Sequence, residues 1–129
     1  MEVKIEEVGS LRVGRYVIID GVPCVVKNIQ ISKPGKHGST KARVEAIGLI
    51  DEQKRVFVKP THDRIEVPII EKKTAQVLSI HGDMATVMDM ETYETFDLKI
   101  EEELKDNLSE GKQLLYWVIM NQKIMKQLR

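Results

Sequence analysis

Apolar and polar positions change places over short distances along this chain, and the apolar positions are mostly Val, Ile, Leu and Met. The segment RYVIID (15–20) predicts a strand, Asp20-Gly21 a tight type I′ turn, and VPCVVKNIQI (22–31) the returning strand. Pro23 stands near the start of that second strand, where a missing N–H is tolerated. The segment SKPGKHGSTKAR (32–43) carries almost nothing apolar and predicts a loop. Extended structure is expected to resume from Arg43 through VEAIGLI (44–50), the polar turn DEQK (51–54), RVFVK (55–59), Pro60 and RIEVPII (64–70). About five short strands in this first part fit an SH3-like barrel over residues 1–70.

A short linker is expected near residues 68–73, where Pro68 and two apolar residues precede Glu71, Lys72 and Lys73. Beyond it, TAQVLSI (74–80), MATVMDM (84–90) and TFDLKI (95–100) predict three strands, the first two joined by the turn HGD (81–83). IEEELKDNL (100–108) places Ile100, Leu104 and Leu108 on one face of a predicted helix. KQLLYWVIM (112–120) is strongly β-prone, and QKIMKQLR (122–129) fits either a last strand or a short helix. Three strands, a helix and two strands is the order of an OB-fold barrel, here over residues 71–129. The fold class read from the pattern is all-β: two small barrels, the first SH3-like and the second an OB-fold.

Composition agrees: 42% of the 129 residues are hydrophobic but only 5% aromatic, so the cores must rest on aliphatic side chains. The opening MEVKIEEVGSLRVG lacks the basic start and apolar run of a secretory signal. The longest apolar run, 114–120, falls far short of the roughly 20 residues that cross a bilayer. A cytoplasmic protein without a membrane partner is expected. Cys24 is the single cysteine, so it reads as a small buried hydrophobe rather than half of a disulfide.

Formal net charge is zero, with 20 Lys and Arg against 20 Asp and Glu, but the charges are unevenly distributed. Residues 1–70 carry 12 basic and 9 acidic side chains, net +3, and residues 71–129 carry 8 and 11, net −3. No acid occurs between Asp20 and Glu45, whereas Lys27, Lys33, Lys36, Lys41 and Arg43 all do. The positive field is therefore local to the loop and its stems.

Catalytic readings lack their parts. His37, His62 and His81 occur singly, without metal-ligand spacing, and no GxSxG elbow or dinucleotide fingerprint is present. GKHGST resembles a phosphate-binding loop only superficially, because His37 separates the Gly-Lys pair from the hydroxyl residue. Neither an enzyme, a metal site nor a cofactor is expected. Glu101, Glu102 and Glu103 open the predicted helix, where its dipole favours them. Tyr93, Phe96, Tyr116 and Trp117 could stack on single-stranded nucleic acid, but a net negative domain repels phosphates, and core packing is the preferred reading.

The loop remains. In Lys33-Pro34-Gly35-Lys36, Pro presets φ at the second position of a β-turn and Gly supplies the positive φ of a type II turn at the third. Gly38 adds freedom after His37, and no apolar side chain in the segment can fold its tip onto a core. Lys36 is thereby expected to present a compact cation and a modifiable primary amine to phosphate or sugar oxygens. Lys33, Lys41 and Arg43 are the expected RNA-binding cations along the stems.

SKPGKHGSTKAR resembles the modification loop of the translation initiation factor 5A family in its short archaeal form, a relative of bacterial elongation factor P. The resemblance extends to the Asp20-Gly21 hairpin, the Pro23-Cys24 step and the C-terminal half. Thr40 and Ile31 depart from residues common at those positions in the family. The resemblance implies that Lys36 receives an aminobutyl group from spermidine through deoxyhypusine synthase, becoming deoxyhypusine or hypusine, with Lys33, Pro34, Gly35, His37 and Gly38 supporting it. It further implies binding to the ribosome and ribosomal RNA, and contact with the acceptor end of peptidyl-tRNA to relieve stalls such as those at consecutive prolines. A single-strand RNA-binding module using the OB half, and a scaffold with the loop as docking epitope, are the alternatives.

Overall fold

The computed structural model describes residues 3–33, 38 and 40–129, and the chain divides into two compact units, Met1–Ile69 and Ile70–Arg129. Strands of the first unit are β1 (Val3–Glu7), β2 (Tyr16–Ile19), β3 (Val22–Ser32), β4 (Lys41–Gly48), β5 (Lys54–Pro60) and β6 (Arg64–Pro68), with a 3-10 turn at Val8–Ser10. β2 to β5 form an antiparallel meander, and β1 pairs with β6 in a separate ribbon. The tight turn between β2 and β3 has Asp20 at φ 53° and Gly21 at φ 77°, the positive pair that a type I′ hairpin requires.

Alternation explains the core. On β4, Ala42, Val44 and Ala46 face inward with 0% exposure, while Lys41, Arg43 and Glu45 between them face out. They pack with Val8, Leu11, Val17, Cys24, Val26, Ile65 and Val67, against which Phe57 and Ile29 lean. Small inward residues let the strands curl closely without voids. Cys24 is fully buried, its Sγ 3.4 Å from the Val22 carbonyl, and burial pushes the thiol up.

Opposite Cys24 in the ladder stands Gly48, at the β4–β5 turn. There Arg55 donates to both carboxylate oxygens of Asp51, at 3.2 and 2.8 Å, and the Gln53 amide donates to Asp51 at 3.0 Å. A Cβ on Gly48 would come 2.0 Å from Asp51 Oδ1, so the turn's ion pair occupies the space of the missing side chain.

The second unit contains β7 (Ile70–His81), β8 (Met84–Asp89), β9 (Thr95–Lys99), β10 (Gln113–Ile119) and β11 (Gln122–Leu128), with a 3-10 turn at Glu102–Asn107. The sheet order is β11-β10-β7-β8-β9. Long β7 serves both halves: residues 70–76 pair with β10 and residues 75–81 with β8, with a register shift between Val77 and Ser79. Such a bend lets one strand belong to both sides of a small barrel. Its core includes Val77, Val87, Leu98, Leu114, Tyr116 and Met125.

Two expectations need correction, one boundary is sharper than expected and one open alternative is decided. β1 was not foreseen, because five residues with two apolar positions make a weak signal without their partner β6. The connection is shorter than 68–73: Ile69 alone lies between β6 and β7, and Glu71, Lys72 and Lys73 are strand residues whose charges point to alternating faces. The expected helix is a six-residue 3-10 turn. Too short to repay α-helix nucleation and held between two strands, it keeps Ile100 and Leu108 buried and Leu104 packed against them. Finally, 122–129 is strand and not helix, because Met120 (φ 49°) and Asn121 (φ 68°) form a tight hairpin turn with β10.

Among the described residues the buried charged side chain is Asp89, 3% exposed. Its Oδ1 accepts from the amides of Glu91 (2.8 Å) and Thr92 (2.9 Å), and its Oδ2 accepts from the buried Tyr116 hydroxyl. Burial alone would raise the carboxyl, but these donors outweigh it and bring it down to about 2. Burial and the neighbouring carboxylate push the Tyr116 hydroxyl up. Phe96 meets the Tyr116 ring edge-on, with centroids 5.1 Å apart.

Two predictions follow from this architecture. Fragments 1–69 and 70–129 should each give dispersed amide spectra when expressed separately, since each has its own core; random-coil spectra from both would show one interdependent domain. Tyr116→Phe should cost about 1–3 kcal/mol in urea unfolding at neutral pH by leaving a desolvated carboxylate short of a donor. A carboxyl held below its unfolded value contributes stability that is complete above about pH 4 and lost as pH falls through about 2, on the order of 2 kcal/mol. The variant should therefore lose much of the wild type's acid sensitivity between those limits; equal pH profiles would refute the role given to the pair.

Candidate functional site

β3 outlasts its first partner. It pairs with β2 only over residues 22–25, whereas its ladder with β4 runs from Cys24↔Gly48 to Ser32↔Lys41. The register shifts between Val26 and Asn28, so Lys27 forms a bulge where β3 leaves β2. Burial falls off there: Val26 is the last buried residue of β3, and Gln30, Ile31 and Ser32 are exposed. The outer end of β3 is thus an exposed arm laddered onto β4, which still buries Ala42 and Val44 in the core, and residues 33–40 join the two strands.

The β4 side of that arm is braced. Lys41 pairs with Pro60, the Thr61 amide donates to the Thr40 carbonyl at 2.9 Å, and the Gly9 amide donates to the Thr61 carbonyl at 2.8 Å. A Cβ on Gly9 would lie 3.1 Å from that same carbonyl oxygen, so a close backbone approach fixes the corner.

The expected loop 32–43 is shorter than its composition suggested, since Ser32 ends β3 and Lys41, Ala42 and Arg43 begin β4. Polar residues conceal these strand ends, because Ala42 is the one inward residue among 41–43 and a lone small apolar position gives no pattern without its partners β3 and β5. Lys33, Gly38 and Lys41 are exposed; Pro34, Gly35, Lys36 and His37 lie outside the described residues. Arg43 is committed differently: its Nη1 lies 2.7 Å from Glu45 Oε1, which Lys54 also approaches at 3.4 Å. The bond from Arg43 is the main cause holding the Glu45 carboxyl below its ordinary value. A stretch free of acids in sequence is therefore not free of them in space, because Glu45 is the next residue on the same face of β4.

One cation escaped the sequence reading. Lys59 pairs with Ala42 and is exposed at the end of β5, on the opposite face of the sheet from Lys41. Only the β4–β5 register brings it there. The aromatic residues do not make one platform: Tyr116 is in the core, Tyr93 is 69% exposed in the β8–β9 turn, and Trp117 faces away from Tyr116 on β10. Among the described residues, no group of three His, Cys, Asp or Glu side chains is placed to hold a metal ion, and no helix is long and apolar enough to cross a membrane.

Residues 2–63 match the family described as translation initiation factor 5A-like, N-terminal, and residues 69–129 match the one described as eukaryotic elongation factor 5A hypusine, DNA-binding OB fold. The chain belongs to the translation initiation factor 5A family. Translation initiation factor 5A of Methanothermobacter thermautotrophicus is 51% identical over 95% of each chain. The Archaeoglobus fulgidus protein of that name is 53% identical over 85% of this chain and 86% of its own. A solved structure titled eukaryotic translation initiation factor 5A from Methanococcus jannaschii superposes with a TM-score of 0.89 at 46% identity, covering 98% of this chain and 95% of the other. The two-barrel, all-β fold is that of the factor 5A family.

The Glu45 contacts yield a test of the arm's charge. Glu45→Gln should release Arg43 and Lys54 and make the factor elute from immobilised heparin at higher salt than the wild type, since more cations become available to a polyanion. Elution at the same salt would show that Glu45 does not mask them.

Proposed function

We propose that this factor 5A family member is a non-enzymatic cytoplasmic translation factor that binds the ribosome beside peptidyl-tRNA. There it promotes peptide-bond formation at stalled sites, such as consecutive prolines, through a hypusine or deoxyhypusine formed on Lys36. The observation that carries the reading is the exposed outer end of β3 laddered onto β4, with the segment Lys33-Pro34-Gly35-Lys36-His37-Gly38 between the two strands, in a chain of this family. The aminobutyl group would come from spermidine through deoxyhypusine synthase, and no dissociable cofactor is required.

A lengthened lysine adds reach and a second amine without any catalytic apparatus. Touching the acceptor end of the tRNA, it would order a slow substrate, and ordering alone is worth up to about 7–11 kcal/mol in ideal cases. The peptidyl transfer remains the chemistry of the ribosome. Exposed Lys33 and Lys41 on the stems would hold ribosomal RNA by its phosphates, with Arg43 contributing less because Glu45 shares its charge.

Protein from its native source should carry one added aminobutyl group located at Lys36 by peptide mass. In a reconstituted translation assay, the modified wild type should relieve stalling on consecutive prolines. Lys36→Arg keeps a cation but cannot accept the group, and its planar guanidinium is a poor stand-in for a flexible diamine. It should fail as unmodified protein does, with unchanged thermal unfolding, while Lys41→Arg retains most activity. Rescue by Lys36→Arg equal to that of the modified wild type would overturn the mechanism.

A further inference from the structure

The net charge of the second unit conceals a segregation. Its 11 acidic residues are Glu71 and those from Asp83 to Glu110. Register puts Glu71 opposite Val118, on the other side of the sheet from the row formed by Lys72, Trp117 and Ile124. The face with Trp117 also receives Thr74 from β7 and Leu115 from β10, and carries no acid among these positions. Lys72 Nζ lies 5.0 Å from the Trp117 ring centroid and Lys126 Nζ 4.7 Å from it. Lys126 falls at the register shift of β11, and the Arg129 Nη1 donates to Thr74 Oγ1 at 2.8 Å.

These cations are ordered before any ligand arrives. A lysine held over an aromatic ring has already given up much of the side-chain freedom that binding would otherwise remove. Arg129 is tied beside Leu115, two residues from Trp117 along β10 and so about 7 Å further on. The result is a row of positive charge on a paired sheet, suited to a chain of regularly spaced anions. The alternatives fit less well. Leu115, Trp117 and Ile124 are half-buried and do not project as membrane insertion requires. β10 is paired on both sides, so an extended acidic peptide gains no backbone bonds here.

We propose that the outer face of β7, β10 and β11 is a second RNA contact, in which Lys72, Lys126 and Arg129 bind successive phosphates of a single strand beside Trp117. This face differs from the strand 2–3 face that OB-folds ordinarily use. That face here is formed by β8 and β9, where Thr86 donates to Asp97 at 2.7 Å. The contact is independent of Lys36 and of the arm.

Trp117 is the only tryptophan, so its emission reports on this face directly. Full-length protein bearing Lys33→Ala, Lys36→Ala, Lys41→Ala and Lys59→Ala, which removes the lysines of the arm, of the segment it carries and of the end of β5, is titrated with a labelled uridine oligonucleotide and followed by Trp117 emission and by anisotropy. Saturable binding that perturbs Trp117 is expected. Adding Lys72→Gln and Lys126→Gln should weaken it about tenfold and flatten the logarithmic salt dependence by about 1.4, for two lost single-strand contacts. Lys105→Gln with Lys112→Gln, outside this face, should change neither. Thermal unfolding of each variant verifies the fold. The proposal fails if the arm-disabled protein does not bind, if the Lys72/Lys126 pair leaves affinity and salt slope unchanged, or if polyglutamate or phosphatidylglycerol vesicles compete as well as the oligonucleotide. Failure here would leave the stall-relief activity of Lys36 standing, and loss of that activity would leave this binding intact.

Discussion

The antiparallel ladder between β3 and β4 is the interaction on which the first unit depends, because one set of backbone bonds serves two different ends of it. At one end the ladder closes over Cys24 and Gly48, where the Asp51–Arg55 pair fills the space above the glycine. At its middle, Val26, Val44 and Ala46 contribute to the core. At the other end the two strands differ: β4 still buries Ala42 in the core, whereas its β3 partners Gln30, Ile31 and Ser32 are exposed and held by the ladder bonds. Rigidity is transmitted outward along the strands, and the bulge at Lys27 sets the direction. Side chains at the end of β3 are therefore freed from packing duties, which is the condition for a basic, Gly- and Pro-containing segment between Ser32 and Lys41.

The second unit solves a different problem, the burial of a charge. Asp89 would be costly in an aliphatic core, and only three donors aimed at its two oxygens make it tolerable. Two of those donors are backbone amides of the β8–β9 turn and the third is a core side chain, so the carboxylate ties a turn to the centre of the barrel. Tyr93 in that turn has φ 61° and donates its amide to the Asp89 carbonyl at 2.9 Å. The strained residue and the buried charge are parts of one construction.

Much of this was legible in the sequence where the local signal is strong. Asp20-Gly21 marks its hairpin because few residue pairs take two positive φ values, and alternation marks β4 and β8 because each has one buried face. Legibility fails where partners decide. β1 exists because β6 lies beside it, and the polar beginning of β4 exists because β3 and β5 bracket it. The site divides the same way. The Lys33–Gly38 segment stands out by composition and resemblance alone, and the masking of Arg43 by Glu45 follows from the strand period of two, whereas the pairing of Lys59 with Ala42 and the bond from Tyr116 to Asp89 are long-range facts that no short window contains.

Charge counting gives the clearest case of information lost by averaging. A total of zero suggests no polyanion partner, halves of +3 and −3 suggest one in the first half only, and neither level of description is fine enough. At about 8 Å, the screening length of physiological salt, a phosphate responds to the few charges nearest to it. On that scale Arg43 counts for less than its formal charge because Glu45 lies 2.7 Å away, and the nominally acidic second unit presents Lys72, the β7 partner of Trp117, and Lys126, at the β11 register shift, both against the Trp117 ring. The strand period of two produces both results. Alternate residues go to opposite faces, so a strand such as β7 can hold Glu71 and Lys72 in sequence and still separate their fields across the thickness of a sheet.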